Sequence, residues 1–288
     1  MAADPTSVLF VTLDSCRYDT FEAADAPALK SVGELHRAHA PSHFTFGSHM
    51  AMFAGFTPGI AGVREPYLNP KYGKIFKLAG GGSTPPGGAF FALEGENIIQ
   101  GFKRRGHRAI GTAAVGWFRP DTDAGRVLGR DFDDFFHPGN VWSIGRQVEW
   151  LQERLREHAG RPVFCFFNVG ETHVPYFHEG AAWDRSDNPC VPFSDRNDTE
   201  KCRTRQRACL EFVDRALASI VEEFAGATTV VCGDHGDCWG EDGLWEHGIH
   251  HEFTLAVPLV FRLSPAAGPD KERALESLGR RVLRRLRR

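Results

Sequence analysis

An aspartate and a histidine, Asp234 and His235, follow directly after an apolar run at 228–232. Such a run predicts a buried parallel strand, which is apolar on both faces. A charged pair at its end is therefore unexpected unless that end opens into a site. In open α/β sheets, ligands bind beyond the carboxyl ends of the strands. A carboxylate and an imidazole in that place form a natural pair of metal ligands. A turn with a capping aspartate is the alternative interpretation.

Two other apolar runs end in the same way. The run at 7–13 is followed by Asp14, for which a helix cap is the alternative role. The run at 163–169 is followed by Glu171 and His173. Because the carboxyl ends of parallel strands lie at one edge of a sheet, we expect these side chains to converge on one site.

The segment 40–55 combines hydroxyls and imidazoles with a short apolar run that ends at Gly55, a typical helix C-terminus. A hydroxyl near a helix N-terminus lies where free backbone N–H groups and the helix dipole favour an anion. Thr45 is placed for such chemistry, with an N-cap as the alternative. For Ser48 we predict the capping role.

Strand-like runs alternate with helical patterns along the chain. This alternation predicts an α/β fold with a mostly parallel central sheet and helices on both faces. The predicted helices span 27–36, 96–105, 143–158 and 200–224, and further strands are predicted at 107–115 and 257–261. Pro258 lacks an N–H donor, so the last strand is expected at a sheet edge or to begin near this proline.

We expect one domain over 1–265 and a basic C-terminal helix over 266–288. The apolar stripe of this helix would dock on the domain, and contact with an anionic membrane or RNA is the alternative. The Gly- and Pro-rich residues 80–88 predict a loop, either a lid over a site or a flap.

The composition argues against several classes of protein. Of the 288 residues 42% are hydrophobic, as in soluble globular proteins, and the net charge of −3 argues against nucleic acid as a partner. No stretch approaches the roughly 20 apolar residues of a membrane span, and the N-terminus lacks a signal-peptide pattern. We therefore expect a cytoplasmic protein. Its seven cysteines form no Cys-x-x-Cys pair; reduced thiols are expected, with a Cys190–Cys202 bridge as the alternative.

Together these residues resemble the alkaline phosphatase superfamily, above all its sulfatase-like branch of sulfatases, phosphonate monoester hydrolases and lipoteichoic acid synthases. The motifs that carry the resemblance are LDSCRYD at 13–19, TFGSHMAMFAG at 45–55, ETHVPY at 171–176, GDHGD at 233–237 with GEDG at 240–243, and VPL at 257–259. Each is weak alone, but their order along the chain makes them specific together. The resemblance implies an alkaline phosphatase-like fold and a sulfatase-like catalytic domain over 1–265.

The resemblance implies a metal-activated nucleophile. Thr45 falls at the nucleophile position, and the metal ligands would be Asp14, Thr45 itself, Asp234 and His235. A threonine hydroxyl is a poor nucleophile at neutral pH, and a divalent cation bound to its oxygen would stabilise the alkoxide. A covalent Thr45 ester that water later cleaves is the expected intermediate.

Further residues match substrate contacts of the family. His173 would hydrogen-bond the phosphate or sulfate oxygens and later protonate the leaving group. His247 falls near a substrate contact or a second-metal ligand. His49 stands where sulfatases carry an arginine beside the nucleophile and is predicted to be catalytic. Arg17 is predicted to bind substrate.

One departure from the sulfatase pattern favours one of two chemistries. Sulfatases of this family convert a Cys or Ser in a Cys/Ser-x-Pro-x-Arg motif to formylglycine. Thr45 stands there instead, and neither the proline nor the arginine follows it. Because a threonine cannot give the aldehyde hydrate, no formylglycine is expected. The phosphodiesterase and phosphoglycerol transferase branches use a threonine, so phosphorus chemistry is favoured over sulfate chemistry.

One divalent metal per chain is favoured. Mixed oxygen and nitrogen ligands suit Mn²⁺ or Zn²⁺ better than Mg²⁺ or Ca²⁺. The alternative is a second metal, although the spacing of its ligands does not match the two-metal pattern closely. Its ligands would be Glu171, His173, His247 and His250.

The sequence therefore predicts a metal-dependent hydrolase of phosphate or phosphonate esters, acting on a small-molecule ester through Thr45. A sulfatase-like hydrolase, a transferase that passes the group to an alcohol, and an inactive binding protein of the same fold are the alternatives. Neither the substrate nor the oligomeric state follows from the sequence. The aromatic residues of the loops are expected to pack rather than to bind a ligand. They are Trp117, Phe118, Trp239 and Trp245.

Overall fold

The structure, a computed structural model, describes residues 3–4, 6–55, 67–68 and 96–265. The predicted loop at 80–88 and the predicted basic helix over 266–288 lie outside these ranges. Within them, no helix has the length and apolar character needed to cross a bilayer.

A sheet of seven strands forms the centre of the described chain. The strands are β1 (Val8–Leu13), β2 (His36–His39), β3 (Tyr67–Leu68), β4 (Arg108–Ala113), β5 (Asp134–Phe136), β6 (Val163–Val169), β7 (Thr228–Gly233), β8 (Cys238–Trp239), β9 (Trp245–Glu246), β10 (Ile249–His250) and β11 (Ala256–Arg262). The order across the main sheet is β2-β11-β7-β1-β6-β4-β5, and the other strands form two small ribbons. From β7 to β5 all neighbours are parallel, whereas β11 is antiparallel to both β7 and β2. The predicted α/β fold with a mostly parallel sheet is confirmed.

Helices cover both faces of the sheet. They are α1 (Tyr18–Ala23), α2 (Pro27–Lys30), α3 (Thr45–Ala54), α4 (Ile98–Arg104), α5 (Asp123–Gly129), α6 (Ile144–Glu157), α7 (Thr199–Glu223) and α8 (Glu252–Leu255). Alternate residues of β6 point to opposite faces: Cys165 and Phe167 pack with α6 and α7, while Phe164 and Phe166 pack with α3, α4 and α5. Burial on both faces explains why every residue of this strand except Asn168 is apolar.

The prediction of a helix over 27–36 is wrong beyond the first turn. Helix α2 ends at Lys30, and the chain returns as β2, which pairs with β11. A Cβ on Gly33 would lie 2.3 Å from the carbonyl oxygen of Phe261. This close approach brings the chain alongside β11, where pairing satisfies backbone groups that a longer helix would have satisfied internally.

Strand β11 lies inside the sheet, between β7 and β2, so the predicted edge position is wrong. Its pairing with β7 begins at Leu259, one residue after Pro258. The missing N–H of the proline therefore falls near the start of the strand, which was the other alternative.

Gln206 of α7 ties together the loops that follow β1 and β6. Its side chain is fully buried, and its Nε2 donates to the carbonyl oxygens of Ser15, at 2.8 Å, and of Thr172, at 3.0 Å. Its Oε1 accepts from the Thr20 hydroxyl at 2.7 Å and from the Arg17 backbone N–H at 3.3 Å. One amide therefore fixes two loops at the carboxyl edge of the sheet.

We expect Gln206→Leu to lower the free energy of unfolding by about 2–4 kcal/mol, because it leaves buried polar partners without a hydrogen bond. Urea denaturation measures the effect. Gln152→Leu is the matched control, since the half-buried Gln152 amide donates to the Ser219 hydroxyl at 3.2 Å in an exposed bond, and it should cost at most about 0.5 kcal/mol. Equal losses in the two variants would contradict the role of Gln206.

Candidate active site

Two buried carboxylates, those of Asp14 and Asp234, lie side by side at the carboxyl edge of the sheet. Strands β1 and β7 are parallel neighbours with Leu13 opposite Gly233, so the next residue of each strand emerges at the same level. Both aspartates are fully buried. Burial raises the pKa of Asp234 well above its usual range, and the charge of Asp14 adds to the rise.

The loop after β1 supports these carboxylates through Ser15. Its backbone N–H donates to Asp234 Oδ1 at 3.1 Å, and its hydroxyl donates to Asp14 Oδ1 at 3.2 Å. Ser15 has a φ of 57°, a left-handed conformation that is unfavourable for a residue other than glycine. Backbone strain of this kind concentrates at functional sites.

His235 completes a ring of ligand atoms. Its Nδ1 donates to the carbonyl oxygen of Gly236 at 3.0 Å, so its Nε2 carries the lone pair. Nε2 lies 3.7 Å from Asp14 Oδ1 and 3.7 Å from Asp234 Oδ2. Burial lowers the pKa of His235 well below its usual value, which keeps the imidazole in the neutral form that binds metals.

Thr45 is the first residue of α3, and its hydroxyl faces this ring. Its Oγ lies 3.3 Å from Asp14 Oδ2 and 3.3 Å from His235 Nε2. The N-cap residue Phe44 makes no side-chain capping bond, and the N-terminus of a helix favours an anion. Gly47 allows this turn, because a Cβ there would lie 2.6 Å from the Ser42 hydroxyl.

The four residues fit a divalent cation. In the described part of the chain, Oδ2 of Asp234 is buried without a hydrogen-bond partner. The ligand atoms of Asp14, Asp234 and His235 all lie within 4.8 Å of one another. Oxygen and nitrogen donors of this kind suit Zn²⁺ or Mn²⁺, and the positive charge would offset two carboxylates that are otherwise costly to bury together.

Ser48 does not cap α3, so the predicted capping role is wrong. Its hydroxyl lies within α3 and donates to the backbone carbonyl oxygen of Asp234 at 2.6 Å. The residue therefore connects the nucleophile-bearing helix to the end of β7.

His49 lies beneath the site rather than in it. Its ring is fully buried, its Nδ1 donates to the Thr45 carbonyl oxygen at 2.8 Å, and its Nε2 accepts from the Thr12 hydroxyl at 3.0 Å. Burial among the rings of Phe118 and Phe166 lowers the pKa of His49 to about 4. A neutral ring with both nitrogens engaged cannot contact substrate, so we correct its predicted catalytic role to support of α3.

Arg17 is also a structural residue. Its guanidinium bonds both carboxylate oxygens of Asp19, at 2.8 and 2.6 Å, and pairs with Glu241 at 2.7 Å. The rings of Trp239 and Phe253 lie on it, with centroids 4.0 and 4.1 Å away. Because this side chain is 2% exposed, the predicted substrate contact is corrected to a clamp on the loop after β7.

The two remaining predicted substrate contacts lie beside the ring of ligand atoms. The centroid of the His247 ring is 4.5 Å from that of His235 and 5.2 Å from that of His173. His173 is half-buried, and its Nδ1 donates to the Val174 carbonyl oxygen at 2.7 Å, which leaves its Nε2 for other contacts. The structure thus brings both histidines to the site.

The predicted second-metal set does not assemble. Glu171 Oε1 accepts from the Ile144 backbone N–H at 2.9 Å, at the start of α6. Within the described ranges, the second group of ligand atoms within 4.8 Å comprises His235, Asp237 and His247. His247 is therefore the single member of the predicted set that belongs to it, and Glu171, His173 and His250 do not.

Sequence reasoning assigned no role to Asp237, although it lies in the motif at 233–237. Its Oδ1 is 2.7 Å from His247 Nδ1, and its Oδ2 accepts from the Tyr176 hydroxyl at 2.7 Å. Burial opposes the charge of His247, but the hydrogen bond and charge of Asp237 outweigh it and raise the pKa of His247 to about 9. The spacing of two acids three residues apart was the signal that could have revealed this pair.

Two of the loop aromatic residues pack within the protein, and the cysteines are in the expected thiol form. Trp117 packs against Phe46 with centroids 5.6 Å apart, and Trp239 packs on Arg17. All seven cysteines are free thiols, including Cys190 and Cys202.

Comparisons with solved structures show the fold. The C-terminal periplasmic domain of a phosphoethanolamine transferase from Campylobacter jejuni aligns over 91% of this chain and 80% of its own, with a TM-score of 0.58 and 13% identity. The Escherichia coli domain EcEptC in complex with zinc aligns over 92% and 74%, with a TM-score of 0.59 and 12% identity. An alkaline phosphatase superfamily protein from Vibrio parahaemolyticus aligns over 92% and 62%, with a TM-score of 0.54 and 13% identity.

The predicted alkaline phosphatase-like fold is therefore confirmed. No family model and no curated protein matches the sequence itself.

We expect the protein to bind one Zn²⁺ or Mn²⁺ per chain and to lose it in Asp234→Ala, because that variant removes the oxygen that lacks a protein partner. Elemental analysis after dialysis measures the content. Glu171→Gln is the matched control and should keep the full content, since Glu171 contacts a helix N-terminus instead. Equal metal content in Asp234→Ala and in the parent protein would contradict the site.

Glu171 should make stability depend on pH. Burial raises its pKa from 4.5 to about 7. The unfolded chain therefore loses this proton at lower pH than the folded protein, so stability falls as pH rises from 4.5 to 7 and is level above that. Urea denaturation of the metal-free protein should show a steeper fall than in Glu171→Gln. Parallel curves for the two proteins would refute this assignment.

Proposed function

We propose that the protein is a metal-dependent phosphoesterase that uses Thr45 as its nucleophile. One observation carries the proposal: the Thr45 hydroxyl lies 3.3 Å from Asp14 and from His235, in a ring of ligand atoms that Asp234 completes. When bound there, a divalent cation would lower the pKa of the hydroxyl and stabilise charge on the phosphoryl group.

The chain's own residues account for a two-step reaction. In the first step the Thr45 hydroxyl loses its proton to solvent and its Oγ forms a bond to phosphorus. The bond from phosphorus to the leaving alcohol oxygen breaks, and His173 Nε2 gives that oxygen a proton. In the second step a water oxygen attacks the phosphothreonine, its proton passes to His173, and Thr45 leaves as the alkoxide. Inorganic phosphate or a phosphate monoester is the product.

Three features of the site would bind the phosphoryl oxygens. The uncapped N-terminus of α3 offers backbone N–H groups beside Thr45. His247 and His173 lie beside the ring of ligand atoms, where imidazole N–H groups can donate to developing negative charge. The arrangement supports an anionic, tetrahedral ester as the substrate.

Transfer to an alcohol is the second candidate function. It is supported by the structural neighbours from Campylobacter jejuni and Neisseria meningitidis, which are described as phosphoethanolamine transferases. Both candidates share the first step and differ in whether water or an alcohol takes the group from Thr45.

We expect Thr45→Ala to lower turnover of an aryl phosphate ester by at least about 1000-fold, because the nucleophile is lost. Thr45→Ser should keep part of the activity, since its hydroxyl can occupy the same position. Release of the phenol measures turnover with added Zn²⁺ or Mn²⁺, and an aryl sulfate serves as the comparison substrate. Unchanged turnover in Thr45→Ala would sink the assignment, and metal binding without any turnover would favour a binding protein.

Acceptor dependence should separate the two candidate functions. A hydrolase should release phosphate at a rate that added glycerol or ethanolamine does not change. A transferase acting on the same donor should instead form a new phosphate ester of the added alcohol, in proportion to its concentration. Phosphorus NMR of the products distinguishes these outcomes. Thr45→Ala is the control for any product that forms without the proposed nucleophile.

A further inference from the structure

Asp237 has a different environment from the carboxylates of the ligand ring. It is fully buried, and both of its oxygens already accept hydrogen bonds. Oδ2 accepts from the Tyr176 hydroxyl at 2.7 Å, and Oδ1 lies 2.7 Å from His247 Nδ1. Asp234, by contrast, has one oxygen without a partner in the described chain.

The hydrogen bonds continue away from the site. Trp239 Nε1 donates to the Tyr176 oxygen at 2.7 Å, and both rings are buried. The backbone oxygen of Asp237 accepts from the Arg17 guanidinium at 3.2 Å. One continuous chain of hydrogen bonds therefore joins Trp239, Tyr176, Asp237 and His247. Trp239, at the end away from the site, is buried in the protein interior.

We propose that Asp237 is a positioning residue, which holds His247 with Nδ1 toward itself and Nε2 toward the substrate oxygens. The inference rests on the proposed function, in which His247 contacts the phosphoryl group. A carboxylate on one nitrogen of an imidazole fixes the orientation of the ring. The His247 ring lies next to those of His235 and His173, and a rotated ring would direct a carbon atom instead of Nε2 at the substrate.

The same contacts argue against a second metal at Asp237. The group of His235, Asp237 and His247 is compact enough to suggest one. For Asp237 Oδ1 and His247 Nδ1 to bind the same metal, however, Nδ1 would have to lose the proton that it donates to Asp237. The buried hydrogen bond between the two side chains would then be lost, which is costly.

We expect Asp237→Asn to lower kcat by about 10- to 100-fold, as losses of orienting partners do, with KM changed less than kcat. A double-mutant cycle with His247→Ala is the decisive measurement. If Asp237 acts through His247, adding Asp237→Asn to His247→Ala should cost less than about twofold further. An equal loss in both backgrounds would overturn the proposal.

Asp214→Asn is the matched control for loss of a buried carboxylate. Asp214 is buried in α7 and accepts from the Leu29 backbone N–H at 2.7 Å, at the start of α2. This variant should lower the melting temperature and leave kcat unchanged. A fall in kcat equal to that of Asp237→Asn would mean that both act only through stability.

Two readouts are independent of turnover. Metal content per chain should be the same in Asp237→Asn and in the parent protein, and a loss of metal would make Asp237 a ligand and overturn the inference. Nitrogen-15 NMR of the imidazoles should show a slowly exchanging His247 Nδ1 proton that disappears in Asp237→Asn. If the parent protein turns over no ester, the proposed function fails. The His247 Nδ1 proton would still report whether Asp237 positions His247. If the parent protein shows no such slowly exchanging proton, the positioning role is refuted.

Discussion

The burial of two aspartates next to each other is the constraint on which the site depends. Asp14 and Asp234 end adjacent parallel strands in matched register, and neither is exposed. Two carboxylates in such a place repel each other and lose their hydration. The surrounding backbone offsets part of this cost through the N–H groups of Ser15 and His235. The remainder calls for a cation, and this need explains why a neutral imidazole and a hydroxyl face the same point.

Most of the sheet could be predicted from the sequence because each central strand has one simple pattern of apolar residues. Strand β6, for example, is apolar at every position except Asn168 and was predicted with its observed bounds at 163–169. The acids and histidines after such strands could be placed because parallel strands end at one edge. The predicted length of helix α2 was wrong because the helical spacing of apolar residues continues past Lys30. Pairing of β2 with β11 determines where the chain goes after the helix.

Contacts between side chains distant in sequence could not be predicted. Gln206 reads as one more polar residue of a long helix, and the carbonyl oxygens that it binds carry no sequence signal. His49 resembled a catalytic residue by its position, but its burial among phenylalanine rings depends on the whole sheet. In both cases the local pattern was compatible with several roles, and tertiary packing selected one.

The candidate ligands lie far apart in the sequence: Ser15, which directly follows the ligand Asp14, and Asp234 are separated by 219 residues. A growing polypeptide therefore cannot bring these ligands together until β7 has been made and has paired beside β1. A cation bound by them would not template an early folding step and would add stability to the finished fold by mass action. Because related divalent metals compete for nitrogen and oxygen donors, the availability of each metal where folding is completed would decide which ion is bound.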